Sequence, residues 1–137
     1  MAGELHLRIV TPDRTLIDRK VAAVTFTGID GKYGILPNHA PLMTAIAEAG
    51  SAEITELDGN KDTLFTSGGF AQMQHNVLTL VCEAGEFVRE IDLERAKAAE
   101  AKAREKLAGL DKYSQDFLKA EASLRKALAR EMLSQRN

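Results

Sequence analysis

Gly31-Lys32-Tyr33-Gly34-Ile35-Leu36-Pro37-Asn38-His39-Ala40-Pro41-Leu42 holds two glycines, two prolines and an apolar crest within twelve residues. Gly31 and Gly34 admit backbone angles closed to other residues, while Pro37 and Pro41 fix φ and push Leu36 and Ala40 toward extended conformations. The stretch reads as a stiff loop between strands. It presents Ile35, Leu36, Pro37 and His39 at its crest, which points to a docking surface rather than a solvated turn.

Strand signals lie on both sides of this loop. Upstream, Leu5, Leu7 and Ile9 alternate with His6 and Arg8, the period of a strand with one buried face. Thr11-Pro12-Asp13-Arg14 turns the chain, and the β-branched run from Val21 to Thr27 predicts a second strand that ends at Gly28. Downstream, Leu42 to Ile46, Ala52 to Leu57, Thr63 to Thr66, Phe70 to Gln74 and Val77 to Cys82 read as short strands. Asp58-Gly59-Asn60 and His75-Asn76 mark tight turns between them. Ser67-Gly68-Gly69-Phe70 has neither a following Lys nor a helix start, so it reads as a close crossing of strands and not as a phosphate cradle. Together these segments predict a mainly β first domain over residues 1–90, an antiparallel β-sandwich or barrel.

The pattern changes at Asp92. From there on the chain has no proline and one glycine, Gly109, and Ala, Glu, Lys, Arg and Leu dominate, as they do in helices. Asp92 is placed to cap a first helix with Leu93, Ala96, Ala103, Leu107 and Leu110 at helical spacing. Gly109-Leu110-Asp111 breaks it, and a second helix opens near Ser114 with Phe117, Ala120, Leu124, Leu128 and Met132 expected on one stripe. Residues 91–137 are therefore expected to form an antiparallel two-helix hairpin. Its stripes are alanine-rich, so it buries little area and can exchange one partner surface for another.

Composition narrows the function. The 137 residues carry a net charge of −2, with a pI near 5.9, which gives no global attraction to nucleic acid or anionic lipid. Cys82 is the only cysteine, which rules out an internal disulfide and a cysteine metal cluster. The first sixteen residues hold no apolar run of signal-peptide length, and no stretch reaches the roughly eighteen apolar residues of a membrane span. Membrane association is thus expected only through a complex. His6, His39 and His75 lack metal-ligand spacing, and neither Cys82 nor any serine has a recognisable base partner. Catalysis and metal binding are not expected.

The run Gly31-x-x-Gly34-Ile35-Leu36-Pro37-x-His39-Ala40-Pro41-Leu42-x-Thr44-Ala45-Ile46 resembles the signature of the ATP synthase epsilon subunit family. Ser67-Gly68-Gly69-Phe70, Ile91-Asp92-Leu93-Glu94-Arg95-Ala96 and the charged, alanine-rich C-terminal region extend the likeness over essentially the whole chain. The resemblance implies a non-catalytic subunit of a bacterial or plastid F-type enzyme, in the bacterial case at the cytoplasmic face of the plasma membrane. There it would contact the gamma subunit and the c-subunit ring through its sandwich, and inhibit ATP hydrolysis at the alpha/beta catalytic hexamer through mobile helices. Ile35, Leu36, Pro37, Asn38 and His39 are the c-ring contacts so implied. Lys32 stands where many members carry an acidic residue, and Asp30 is its neighbouring replacement.

Two further sets follow from the resemblance. Ile91-Asp92-x-x-Arg95-Ala96 is similar to a motif through which some members bind ATP as a regulatory ligand. Glu86, Asp92 and Arg95 match its positions, Lys102 stands in place of an Arg, and Lys126 and Arg130 fall near the basic positions of the second helix. Lys for Arg loses the planar fork, so the grip on phosphate weakens. The inhibitory helix would use Lys119, Arg125, Lys126 and Arg130 against an acidic surface. The residues by themselves leave two readings open for the hairpin, this one and a free-standing ATP-sensing module.

Overall fold

A computed structural model describes residues 3–135 of the chain; Met1, Ala2, Arg136 and Asn137 lie outside the described residues. The strands are β1 (Leu5–Val10), β2 (Thr15–Val21), β3 (Ala23–Gly28), β4 (Gly31–Ile35), β5 (Leu42–Ala45), β6 (Gly50–Thr55), β7 (Lys61–Ser67), β8 (Phe70–Gln74), β9 (Val77–Val81) and β10 (Ala84–Phe87). A short 3-10 turn, Val88–Glu90, precedes helices α1 (Leu93–Gly109) and α2 (Gln115–Gln135). Two compact units part between Phe87 and Val88.

The first unit is a sandwich of two five-stranded sheets, ordered β2-β1-β9-β8-β5 and β10-β7-β6-β3-β4. Pairing is antiparallel except between β1 and β9, which run parallel with Leu7 opposite Leu78. Alternation decides which side chains go inward: Leu5, Leu7 and Ile9 of β1, Leu78 and Leu80 of β9, and Ala71 and Met73 of β8 are all buried. Val24, Phe26, Ala52, Ile54 and Leu64 of the second sheet join them in one core. The two expected hairpins form. Gly59 has φ 89° while Asp58 Oδ1 accepts from the Asn60 amide at 2.9 Å, and β8 and β9 are joined through His75 (φ 52°) and Asn76 (φ 62°), the left-handed pair that a two-residue hairpin requires.

Three strands were not expected. In β2, Asp18, Arg19 and Lys20 mask the alternation; it is an edge strand whose inward residues are Ile17 and Val21. Its outward charges find partners, Asp18 with His6 at 2.5 Å and Arg19 in a two-pronged bond to Glu56 at 3.1 and 2.5 Å. A second surprise is β10, a short edge strand beside β7. The third is β4, which corrects the reading of Gly31 to Ile35 as loop. Gly31 pairs with Gly28 and Ile35 with Val24, and Tyr33 stacks on Phe26 with ring centroids 5.3 Å apart.

In the second unit α1 and α2 pack along one another. Asp92 caps α1, accepting from the Arg95 amide at 3.2 Å. Ser114 caps α2, its hydroxyl accepting from the Phe117 amide at 3.1 Å. In α1 the inward positions are those expected, with Ala96 and Ala103 buried. In α2 the expected stripe is corrected: Leu128 and Met132 are 37% and 65% exposed, whereas Ala120 and Ala127 are buried. Steps of four residues rotate by about 40° each, so a stripe taken through 124, 128 and 132 leaves the inner face. Alternating steps of three and four, through 117, 120, 124, 127 and 131, stay on it.

Candidate functional site: a braced knuckle and a helical pair

With β4 folded into the sheet, the proline-bounded loop shrinks to Leu36–Pro41. Ile35, expected at its crest, is only 1% exposed and belongs to the core. Its place at the end of β4, paired with Val24, turns it inward, which corrects that expectation. Leu36, the next residue, points the other way and is 63% exposed. Pro37 is half-buried, and Asn38 and His39 are exposed. The tip closes as a turn, with the His39 amide donating to the Leu36 carbonyl at 3.1 Å, Asn38 at φ 63°, and His39 Nδ1 2.7 Å from the Ala40 carbonyl oxygen.

A residue legible in the sequence only as a turn former holds this knuckle in place. Asn76 Oδ1 accepts from the Asn38 amide at 2.8 Å, and Asn76 Nδ2 donates to the Glu4 carbonyl at 2.8 Å. One side-chain amide thus ties the knuckle to the segment leading into β1, using both its donor and acceptor functions. No local pattern shows a contact between positions 38 and 76.

The proposed nucleotide residues are distributed along the chain. Glu86 lies in β10, half-buried. Asp92 and Arg95 sit exposed in the first turn of α1, where the Asp92 carboxylate serves as cap. Lys102 lines an open groove of about 910 Å³ between the helices, together with Lys106, Lys119, Asp116 and Ser123. The groove includes neither Asp92 nor Arg95, and Lys126 and Arg130, half-buried on α2, do not line it either. Of the four inhibitory-helix residues, Lys119 and Arg125 are exposed. Among the described residues no cluster of His, Cys, Asp or Glu is arranged to hold a metal.

Known proteins resemble both units of the chain. A family model described as ATP synthase, Delta/Epsilon chain, beta-sandwich domain matches residues 4–88, and another, ATP synthase, Delta/Epsilon chain, long alpha-helix domain, matches residues 89–130. An ATP synthase epsilon chain from Nitratidesulfovibrio vulgaris (strain DP4) is 38% identical over 130 residues, covering 95% of each chain. One from Caldanaerobacter subterraneus subsp. tengcongensis is 39% identical over 130 residues, 95% of this chain and 93% of its own. A chain in the cryo-EM structure of the Euglena gracilis mitochondrial ATP synthase, OSCP/F1/c-ring in rotational state 1, superposes with a TM-score of 0.83 at 25% identity, covering 96% of this chain and 82% of that one.

Proposed function

The chain belongs to the epsilon subunit family of the F-type ATP synthase, and from that premise we propose that it is a non-catalytic stalk subunit with two roles. Its sandwich couples rotation of the c-subunit ring to the gamma subunit, and its helices oppose ATP hydrolysis at the alpha/beta hexamer. The complex holds it at the cytoplasmic face of the bacterial plasma membrane. Among the described residues no helix is long and apolar enough to cross a membrane.

The exposed Leu36, on a knuckle braced by Asn76, is the observation that supports the coupling role. An apolar tip on a braced turn loses little freedom on docking, so its burial is not offset by ordering entropy. The test is Leu36→Cys in the assembled enzyme, cross-linked to cysteines in the polar loops of the c ring. Efficient cross-linking that blocks rotation is expected, and none at any c-loop position would refute the contact.

The inhibitory role draws support from the thin inner face of the helices, whose buried residues are Ala96, Ala103, Ala120 and Ala127. Small side chains bury little area, and at about 25 cal/mol per Å² such packing leaves the pair free to open. Deleting the chain after Ala108 should leave assembly and coupling intact while raising ATP hydrolysis; unchanged hydrolysis removes this role. A regulatory ATP is the ligand proposed for the helical unit, with Arg95, Lys102, Lys126 and Arg130 as its phosphate-binding cations. Equal ATP affinity in the wild type and in Arg95→Ala and Lys102→Ala variants would dismiss it.

A further inference from the structure

We propose that β4 is a docking edge, along which an extended segment of a neighbouring subunit, bearing a carboxylate, adds to the sheet by backbone hydrogen bonding at Lys32 and Gly34. β4 ends the order β10-β7-β6-β3-β4, so only β3 is hydrogen-bonded beside it. In an antiparallel ladder, pairs that exchange both backbone bonds alternate with pairs that exchange none. Gly28 and Gly31 close the two-residue turn Ile29-Asp30, which makes them the bonded pair of a hairpin. Thr27, one residue back, has its carbonyl taken by the Ala47 amide at 3.1 Å. Thr27–Lys32 and Thr25–Gly34 are therefore the unbonded pairs. The N–H and C=O groups of Lys32 and Gly34 face the open side, and both residues are exposed.

Gly34 is an independent sign. A glycine inside a strand weakens it, because the unfolded chain has more freedom to lose and no side chain packs in return. Other glycines of the second sheet have a reason to be there: a Cβ on Gly28 or Gly50 would meet the side chain of Tyr33 or Thr27, and Gly31 has φ 137°. Gly34 has neither reason. Its φ is not left-handed, and a Cβ on it would meet nothing within 4 Å. What a bare Cα on an open edge does provide is room for a second backbone to come close.

Charge and framing narrow the occupant. Lys32 lies two residues from Gly34, hence on the same face of the strand, and among the described residues it has no ion pair. An edge lysine turns away strands without a counter-charge and favours one that sets a carboxylate beside it. Ile29, in the turn before β4, and Leu36, just after it, are 74% and 63% exposed, so apolar side chains stand at both ends. The matching segment is extended and as long as the five residues of β4, acidic beside Lys32, small beside Gly34 and apolar at its ends. A second copy of this chain fits poorly, since pairing β4 with β4 would bring two Lys32 ammonium groups to one face without a carboxylate. That the segment belongs to a stalk neighbour rests on the function proposed above; the open edge, the bare Gly34 and the unpaired Lys32 do not.

The test compares the full chain free in solution with the same chain rebuilt into ATP synthase stripped of this subunit. Amide exchange at Lys32 and Gly34 should be fast in the free chain and at least about tenfold slower in the rebuilt enzyme, whereas Tyr33, bonded to β3, should be protected in both. Gly34→Val should melt no lower than wild type as a free chain, yet rejoin the stripped enzyme at least about tenfold more weakly, as should Lys32→Glu. Carbodiimide coupling should join Lys32 to an acidic residue of one neighbouring subunit. Equal exchange at Lys32 and Gly34 in the two states would overturn the docking edge, and so would Gly34→Val and Lys32→Glu chains that rejoin as tightly as wild type. A free Gly34→Val chain that melts well below wild type would assign the glycine to the fold and count against it, with the wild-type exchange still decisive. Protection in the free chain that grows with its concentration would give the edge to a second copy, against the proposal. A wild-type chain that does not rejoin the stripped enzyme would sink the stalk reading and this docking with it.

Discussion

A Cβ on Gly69 would stand 1.8 Å from the carbonyl oxygen of Val81, far inside van der Waals contact with the neighbouring strand's backbone. Gly69 has φ 90° and Gly68 φ 67°, and the pair lets β7 cross into β8 with the Gly69 carbonyl accepting from the Ile46 amide and the Gly68 amide donating to the Ala47 carbonyl. Gly69→Ala therefore adds both a backbone clash and left-handed strain. We expect a loss of at least about 3 kcal/mol in urea unfolding, with strand order perturbed from Ile46 to Val81 in amide exchange. A loss within 1 kcal/mol, by the same order of estimate, would contradict the geometry.

Asn76→Ala removes two bonds and places a Cβ-bearing residue other than Asn at φ 62°. About 1–2 kcal/mol of sandwich stability should go. Asn76→Gly separates the causes, because it accepts the backbone angle but restores neither bond. Faster amide exchange at Asn38 in both variants, with only the share of stability owed to backbone strain recovered in the glycine one, is the expected pattern.

Asp92→Ala deletes the cap of α1 and should cost about 1 kcal/mol, read as fraying of the first turn in amide exchange and a fall in helical circular dichroism. Asp92→Asn, which can still accept from the Arg95 amide, should cost far less. Equal fraying in both variants would assign the effect to charge at the helix start instead.

The inner face of α2 can be tested by contrast. Met132→Gln, on the exposed side, should change stability by no more than about 0.5 kcal/mol, whereas Ala127→Leu forces three further carbons into a buried site and should cost about 1–3 kcal/mol. The reverse order, measured by thermal melting of the helical signal, would reinstate the stripe through Leu128 and Met132.

Burial pushes the Cys82 thiol up to about 11 from an ordinary 9.0, because a thiolate there loses its solvation. The folded sandwich thus holds this proton more tightly than the unfolded chain. Its contribution is present below pH 9.0 and is lost as pH rises toward about 11. Alkylation of the native chain near neutral pH should be slow and should accelerate on adding urea; fast native alkylation would show that the thiol is accessible.

The sequence was most legible where local period and burial agree. Leu5, Leu7 and Ile9 announce β1 because each polar neighbour is solvated, and Asp92 and Ser114 announce the helix starts because a cap is a local contact. β2 was hidden by Asp18, Arg19 and Lys20, which an edge strand can point outward, and β4 by Gly31 and Gly34, whose turn chemistry masked a strand between them. The crest was right at Leu36 and wrong at Ile35 for the same reason: one residue of register decides which side of the sheet a side chain takes. Asn76 was legible as a turn residue but not as a brace, because its bonds to Asn38 and Glu4 depend on tertiary neighbours.

The parallel contact of β1 with β9 imposes an order on biosynthesis. Leu7 meets Leu78 only after more than seventy residues have emerged, so a nascent chain leaves the ribosome with one flank of its first ribbon bare, a template for stray pairing with other polypeptides. Asp18, Arg19 and Lys20 on the opposite flank cannot shield it. Until Val77 to Val81 arrives, protection falls to chaperones or to speed of translation, and pausing within those last codons should raise the yield of aggregate.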